Sequence, residues 1–129
     1  MQNNIGYIAL AVVLGWMLWQ RVIAPKLSGV KTISASDYMS FRNEKHTLLD
    51  VRQPGEWQSG HASHAIHIPL GEVKRRLGEI PKDRPVVVIC ASGNRSAMAA
   101  ITLAKAGFDS VYNFAGGMGA WRSAGLPVT

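Results

Sequence analysis

Cys90 is the only cysteine in the chain, and its surroundings carry the strongest chemical signal in the sequence. It ends the apolar run Val86-Val87-Val88-Ile89. Ala91-Ser92-Gly93-Asn94-Arg95 then leads into an alanine-rich segment, Arg95 to Ala106, that reads as a helix. A tight loop between strand and helix turns successive backbone N–H groups toward its centre and forms a nest for an anion. The helix N-terminus adds partial positive charge, and Gly93 permits a positive φ or a close backbone approach. A thiol at the base of such a cup ionises near neutral pH. A persulfide, also an anion, is stabilised in the same way, and Arg95 at the end of the loop can close the ring and order it. A cysteine that ends a strand is commonly a small buried hydrophobe. The loop composition and the helix behind it tip the balance toward chemistry, and leave open whether the anion is sulfur or phosphate.

Positioning that loop falls to an alternation of strands and helices. The unbroken β-branched run Val86–Ile89 is suited to burial on both faces, the mark of a central parallel strand. Val30–Ile33 is a first strand, and Ser34 caps a helix with Asp37 three positions on as a capping-box acid. Thr47–Val51 and Ile66–Leu70 are further extended stretches, and Gly71–Leu77 reads as a helix with Val73 and Leu77 at spacing four. The helix from Arg95 stops at Gly107. Val111–Phe114 is the next strand, and Gly116-Gly117 turns into a last short helix through Trp121, whose ring is expected to lie against the C-terminal turn. Strands alternating with helices predict an α/β fold, a parallel sheet flanked by helices on both faces.

The chain has 129 residues, the size of one ordinary domain. A 47% hydrophobic content excludes a disordered chain. A single cysteine excludes an intrachain disulfide framework and a multi-cysteine zinc site, and fits a reducing compartment. The formal net charge is +6. From Ile5 to Trp19 no side chain is polar beyond the hydroxyl of Tyr7; Gln20 and Arg21 interrupt, and Val22-Ile23-Ala24 follow before Pro25. Residues 5–24 are expected to form one transmembrane helix, roughly 30 Å long, with Arg21 snorkelling and Trp16 and Trp19 in the interfacial belt. The absence of a basic n-region and of an Ala-x-Ala-like site argues against a signal peptide. The absence of a polar face argues against an in-plane helix, and a buried core helix would be unusually apolar on all sides. Arg21, Lys26 and Lys31 all lie on the C-terminal flank, so the positive-inside rule places the following domain in the cytoplasm. The expected organisation is an N-terminal transmembrane helix and linker over residues 1–29, contacting a lipid bilayer, and a domain over residues 30–129. No aromatic-basic face points to nucleic acid.

Three separated motifs resemble those of the rhodanese (sulfurtransferase) family, across roughly Lys31 to Pro127. Asp50-Val51-Arg52, Glu56-Trp57, Gly60-His61, Ala65 and His67-Ile68-Pro69 look like its N-terminal signature. Cys90 through Arg95 with Ser96 looks like the active loop C-x-x-G-x-R-S, and Gly116-Gly117-Met118, Ala120-Trp121 and Gly125-Leu126-Pro127 look like the C-terminal signature. The resemblance implies a rhodanese-like fold and a sulfurtransferase of the thiosulfate sulfurtransferase class. A persulfide on Cys90 would carry sulfane sulfur from thiosulfate, a polysulfide or a protein persulfide to cyanide or a thiol. The alternative is a non-catalytic, membrane-tethered interaction module. The resemblance further implies that the amides of Ala91, Ser92, Gly93, Asn94 and Arg95 cradle the sulfur, and that Asp50, Arg52 and Glu56 form a supporting network with the arginine between two carboxylates. It implies no cofactor and no metal.

The spacing C-x4-R is one residue shorter than the C-x5-R loop of the cell-cycle dual-specificity phosphatases that resemble rhodaneses, which suits sulfur over phosphate. Ala91 stands where many thiosulfate-using relatives carry Arg or Lys, which removes a charge for a dianionic donor. His64 stands at a glycine position of the family and predicts an altered turn. His61, His64 and His67 recur every three residues, a spacing compatible with a metal, but two of them match motif positions. Lys74-Arg75-Arg76 reads as a solvated helix face.

Overall fold

The computed structural model describes residues 4–18 and 29–129. Helix α1 covers Ile5–Leu18, and every one of its residues is exposed. Its 14 residues rise about 21 Å, short of a ~30 Å hydrocarbon core. Among the described residues no helix is long and apolar enough to cross a membrane. The span expected over residues 5–24 is therefore not met by a described helix, and its last six positions lie outside the described residues.

From Val30 the chain forms β1 (Val30–Ile33), α2 (Ala35–Phe41), β2 (Thr47–Asp50), α3 (Pro54–Gln58), β3 (Ile66–His67), β4 (Val86–Ile89), α4 (Asn94–Lys105), β5 (Val111–Phe114) and α5 (Gly117–Ser123). The strands build one sheet in the order β1-β5-β4-β2-β3, with every pair parallel. β4 sits at its centre and is wholly buried, as its β-branched run predicts. Alternation of side chains divides the core into two layers. Val86, Val88 and Cys90 face Ala99, Ala100 and Leu103 of α4. Val87 and Ile89 face Tyr38 of α2 and Met118 and Trp121 of α5.

Local chemistry sets several boundaries. Ser34 caps α2: its Oγ accepts the Asp37 N–H, and the Asp37 carboxylate accepts the Ser34 N–H in return. Trp121 is buried, and its Nε1–H donates to the Pro127 carbonyl at 2.9 Å. The helix expected over Gly71–Leu77 is replaced by two 3-10 turns, Leu70–Glu72 and Leu77–Glu79. Gly71 and Gly78 bracket this stretch, and their backbone entropy disfavours a continuous α-helix.

The topology creates the site. The connection leaving β2 runs outward to β3, and the one leaving β4 runs the other way to β5. The neighbours β2 and β4 thus part at their carboxyl ends, the crevice where open α/β sheets bind ligands. Asp50 ends β2 beside Ile89 of β4, one residue before Cys90.

Candidate active site

Cys90 continues the buried face of β4 and exposes no surface. Gly93 follows as the N-cap of α4 with φ +107°, a left-handed conformation that side chains other than glycine's resist. That twist brings the Gly93 N–H to 3.0 Å from Cys90 Sγ. The Ser96 hydroxyl lies 3.3 Å from the sulfur, and the backbone amides of Ser96 and Ser92 add to the positive field. Burial is the largest single influence on the thiol and opposes its ionisation. The Ser96 hydroxyl and the three amides together outweigh it and hold the thiol below its ordinary pKa. Of the five amides expected to cradle the sulfur, those of Ser92 and Gly93 act on it, and Ser96, outside that set, adds its hydroxyl and amide; the side chains of Ala91 and Asn94 stand exposed.

Arg95 does not close the ring on the sulfur. Its guanidinium forks onto Glu56 of α3, Nη1 to Oε1 at 2.6 Å and Nη2 to Oε2 at 2.8 Å. The Arg95 hydrogen bond, opposed by burial and helped by the Gln53 amide, lowers the Glu56 carboxyl to about 2. The expected arginine between two carboxylates is corrected accordingly. Arg52 grips Asp50 alone, through Nε and Nη2, with both side chains buried. Its remaining N–H groups donate to the backbone carbonyls of Glu56, at 3.2 Å, and Gly60, at 2.8 Å. Asp50–Arg52 thus fixes the loop after β2 from beneath, while Glu56–Arg95 fastens that loop to the first turn of α4.

Two supports lie outside the expected set. The Met118 N–H donates to the Cys90 carbonyl at 2.8 Å. Gly117 is packed so tightly there that a Cβ would lie 2.3 Å from the Cys90 oxygen and 2.4 Å from the Ala91 carbonyl carbon. On β5, buried Asn113 accepts from Ser96 Oγ at 2.5 Å and donates from Nδ2 to the Gly93 carbonyl at 3.2 Å. The available signal for Asn113 was an amide in the otherwise apolar strand Val111–Phe114.

The histidines are used differently. His61 and His67 both stack on Trp57, with ring centroids at 3.5 and 4.8 Å. His61 Nδ1 donates to the Trp57 carbonyl and His67 Nε2 to the Arg52 carbonyl. His64 is exposed and takes φ +67°, the left-handed conformation that glycine adopts without strain. Among the described residues no group of three His, Cys, Asp or Glu could hold a metal ion.

Comparison with known proteins agrees with this architecture. Residues 34–124 match the rhodanese-like domain family. The uncharacterized protein YqhL of Bacillus subtilis (strain 168) is 36% identical over 121 residues, 94% of each chain. A sulfurtransferase of Allochromatium vinosum is 42% identical over 81 residues, which cover 63% of this chain and 76% of that one. The crystal structure of a rhodanese-related protein from Thermoplasma volcanium superposes with a TM-score of 0.70 at 35% identity, covering 77% of this chain and 97% of that one. The family match begins at the N-cap of α2, ends at the C-cap of α5 and encloses the whole cup around Cys90: the chain belongs to the rhodanese-like domain family.

Proposed function

We propose that the chain is a sulfurtransferase with Cys90 as the sulfur carrier. The donor ring around Cys90 Sγ, at the carboxyl end of the central strand, carries this reading. The Cys90 thiolate attacks the outer sulfur of a donor R–S–S⁻. The donor S–S bond breaks, R–S⁻ leaves, and a persulfide forms on Cys90. An acceptor thiolate or cyanide then attacks the outer sulfur, and Cys90 departs as thiolate. Each state of the carrier is an anion, and the same amides serve all of them. Similarity to a protein named as a sulfurtransferase supports the assignment.

The charges near the sulfur bear on the donor. Arg95 is committed to Glu56, Arg52 to Asp50, and Ala91 contributes none. A protein persulfide, with one negative charge at its reacting end, suits this cup better than dianionic thiosulfate. The test exposes the full chain to a polysulfide and, separately, to thiosulfate, and weighs it. A gain of one sulfur atom that is lost on adding cyanide or a thiol, and absent in Cys90→Ser, is expected. No gain with either donor overturns the reading.

The complete burial of Cys90 favours a second reading, a non-catalytic interaction module with a sealed cysteine. Under it the sulfur stays unloaded with every donor, and Cys90→Ser leaves function in cells intact. Sulfur transfer instead requires that the loop over residues 91–95 admit a donor to the thiol.

Membrane attachment is the other part of the proposal. Helix α1 exposes apolar side chains on all sides, an arrangement that water disfavours and lipid accepts. The bases Arg21, Lys26 and Lys31 favour a cytoplasmic domain. The full chain should pellet with phospholipid vesicles and resist alkaline extraction; recovery in the supernatant overturns this part.

A further inference from the structure

The Ser96 hydroxyl carries one proton and faces three acceptors. Asn113 Oδ1 lies at 2.5 Å, the Gly93 carbonyl at 3.1 Å and Cys90 Sγ at 3.3 Å. The orientation of the Asn113 amide is fixed from its other end. Nδ2 faces the Gly93 carbonyl, which can only accept, so Oδ1 is the atom turned to Ser96. Asn113 is therefore a pure acceptor toward the hydroxyl, and the nearest one.

From this geometry we infer that Asn113 is a positioning residue for Cys90, which sets how readily the thiol ionises by competing with the sulfur for the Ser96 proton. In the thiol, S–H donates to Ser96 Oγ and the hydroxyl donates to Asn113. Ionisation releases the thiol proton to water. The Ser96 hydroxyl then rotates from Asn113 Oδ1 toward the thiolate, giving up its shorter hydrogen bond. Gly93 N–H holds the sulfur in both states. Asn113 thereby opposes what Ser96 supports.

The other charged groups around the sulfur are Arg95 on α4, Glu56 on α3, which neutralises it, and the Asp50–Arg52 pair at the end of β2. Asn113 hydrogen-bonds to Ser96 and Gly93 and to none of these groups, so they are common to every variant in the test. This inference concerns the resting thiol and is read by alkylation, so its outcome is independent of whether sulfur is transferred.

The experiment measures the pH dependence of Cys90 alkylation by iodoacetamide in the full chain. Asn113→Leu removes the acceptor at similar volume, and Asn113→Val does so with a smaller strand former should leucine not fit. Either variant that keeps the wild-type circular dichroism spectrum should shift the alkylation midpoint down by about one pH unit, the scale of one hydrogen bond to a charged group. Ser96→Ala should shift it up. In the Ser96→Ala background the Asn113 substitution should have no further effect, because its influence passes through that hydroxyl. An Asn113 shift that persists without Ser96, an upward shift or no shift overturns the inference. A measurement on the wild-type chain stands apart from folding of the variants. At acid pH the S–H infrared stretch should lie at the lowered frequency of a hydrogen-bond donor, and a stretch at the free-thiol position overturns the inference too.

Discussion

Arg95 and Glu56 stand 39 residues apart and meet as a two-pronged pair, with both terminal nitrogens of the guanidinium on both carboxylate oxygens. This geometry couples orientation to charge. It holds the first turn of α4, and with it Gly93 and Ser96, against the loop that leaves β2. The guanidinium thereby steadies the backbone that presents the amides.

Arg95→Ala should therefore impair the cup more than the fold. Each partner is about a third exposed, so solvent screening limits the pair to about 1 kcal/mol of stability. Sulfur uptake should fall on the order of tenfold, because a loosened loop no longer aims its donors. Denaturant melts and adduct formation, measured together, check this; losses of the same size in both would contradict a loop-ordering role.

The same pair has a pH signature. The Glu56 carboxyl lies at about 2 in the folded chain against an ordinary 4.5. A group whose pKa is depressed by folding contributes stability above its unfolded value and loses it as pH falls through the folded one. The stability difference between the wild-type chain and Glu56→Gln should be constant above about pH 5 and shrink between about 4.5 and 2. Urea melts across that range provide the test, and a difference independent of pH would contradict the assignment.

Asp50 should matter more to folding than Glu56. It is wholly buried beneath Arg52, which is itself 4% exposed. Asp50→Asn leaves a guanidinium in the interior without its countercharge, a change that costs about 3–5 kcal/mol. Chemical denaturation measures this directly; a loss below about 1 kcal/mol would show that water reaches Arg52.

Gly117 and Gly119 make a matched pair. Alanine at 117 would place its Cβ against the Cys90 and Ala91 carbonyls at a φ of +57°, whereas at 119 it meets nothing within 4 Å. Gly117→Ala should lose about 1–3 kcal/mol and most sulfur uptake. Gly119→Ala should be neutral or stabilising by up to about 1 kcal/mol. Thermal melts with the adduct assay distinguish the two sites, and equal behaviour would refute the close approach of α5 to the active loop.

Much of this was legible one segment at a time. The run Val86–Ile89 announced a central parallel strand because β-branched side chains without alternation fit burial on both faces. Ser34 and Asp37 announced a helix start because a capping box is closed within four residues. Residues 71–77 carry a helical apolar spacing at Val73 and Leu77, yet the glycines at 71 and 78 favour the 3-10 turns that form. Asn113 is silent in the sequence, because an amide within a strand has no meaning until the hydroxyl opposite it is known.

By itself, then, the order of residues determined the sheet and the loop with its cysteine, because propensity, capping and turn chemistry act over a few neighbours. Only the assembled tertiary structure decided which carboxylate each arginine takes, Glu56 for Arg95 and Asp50 for Arg52, and that α5 presses on the loop through Gly117. Those pairings join residues far apart in the chain, and a guanidinium with two acids in reach is assigned by where three-dimensional packing aims it.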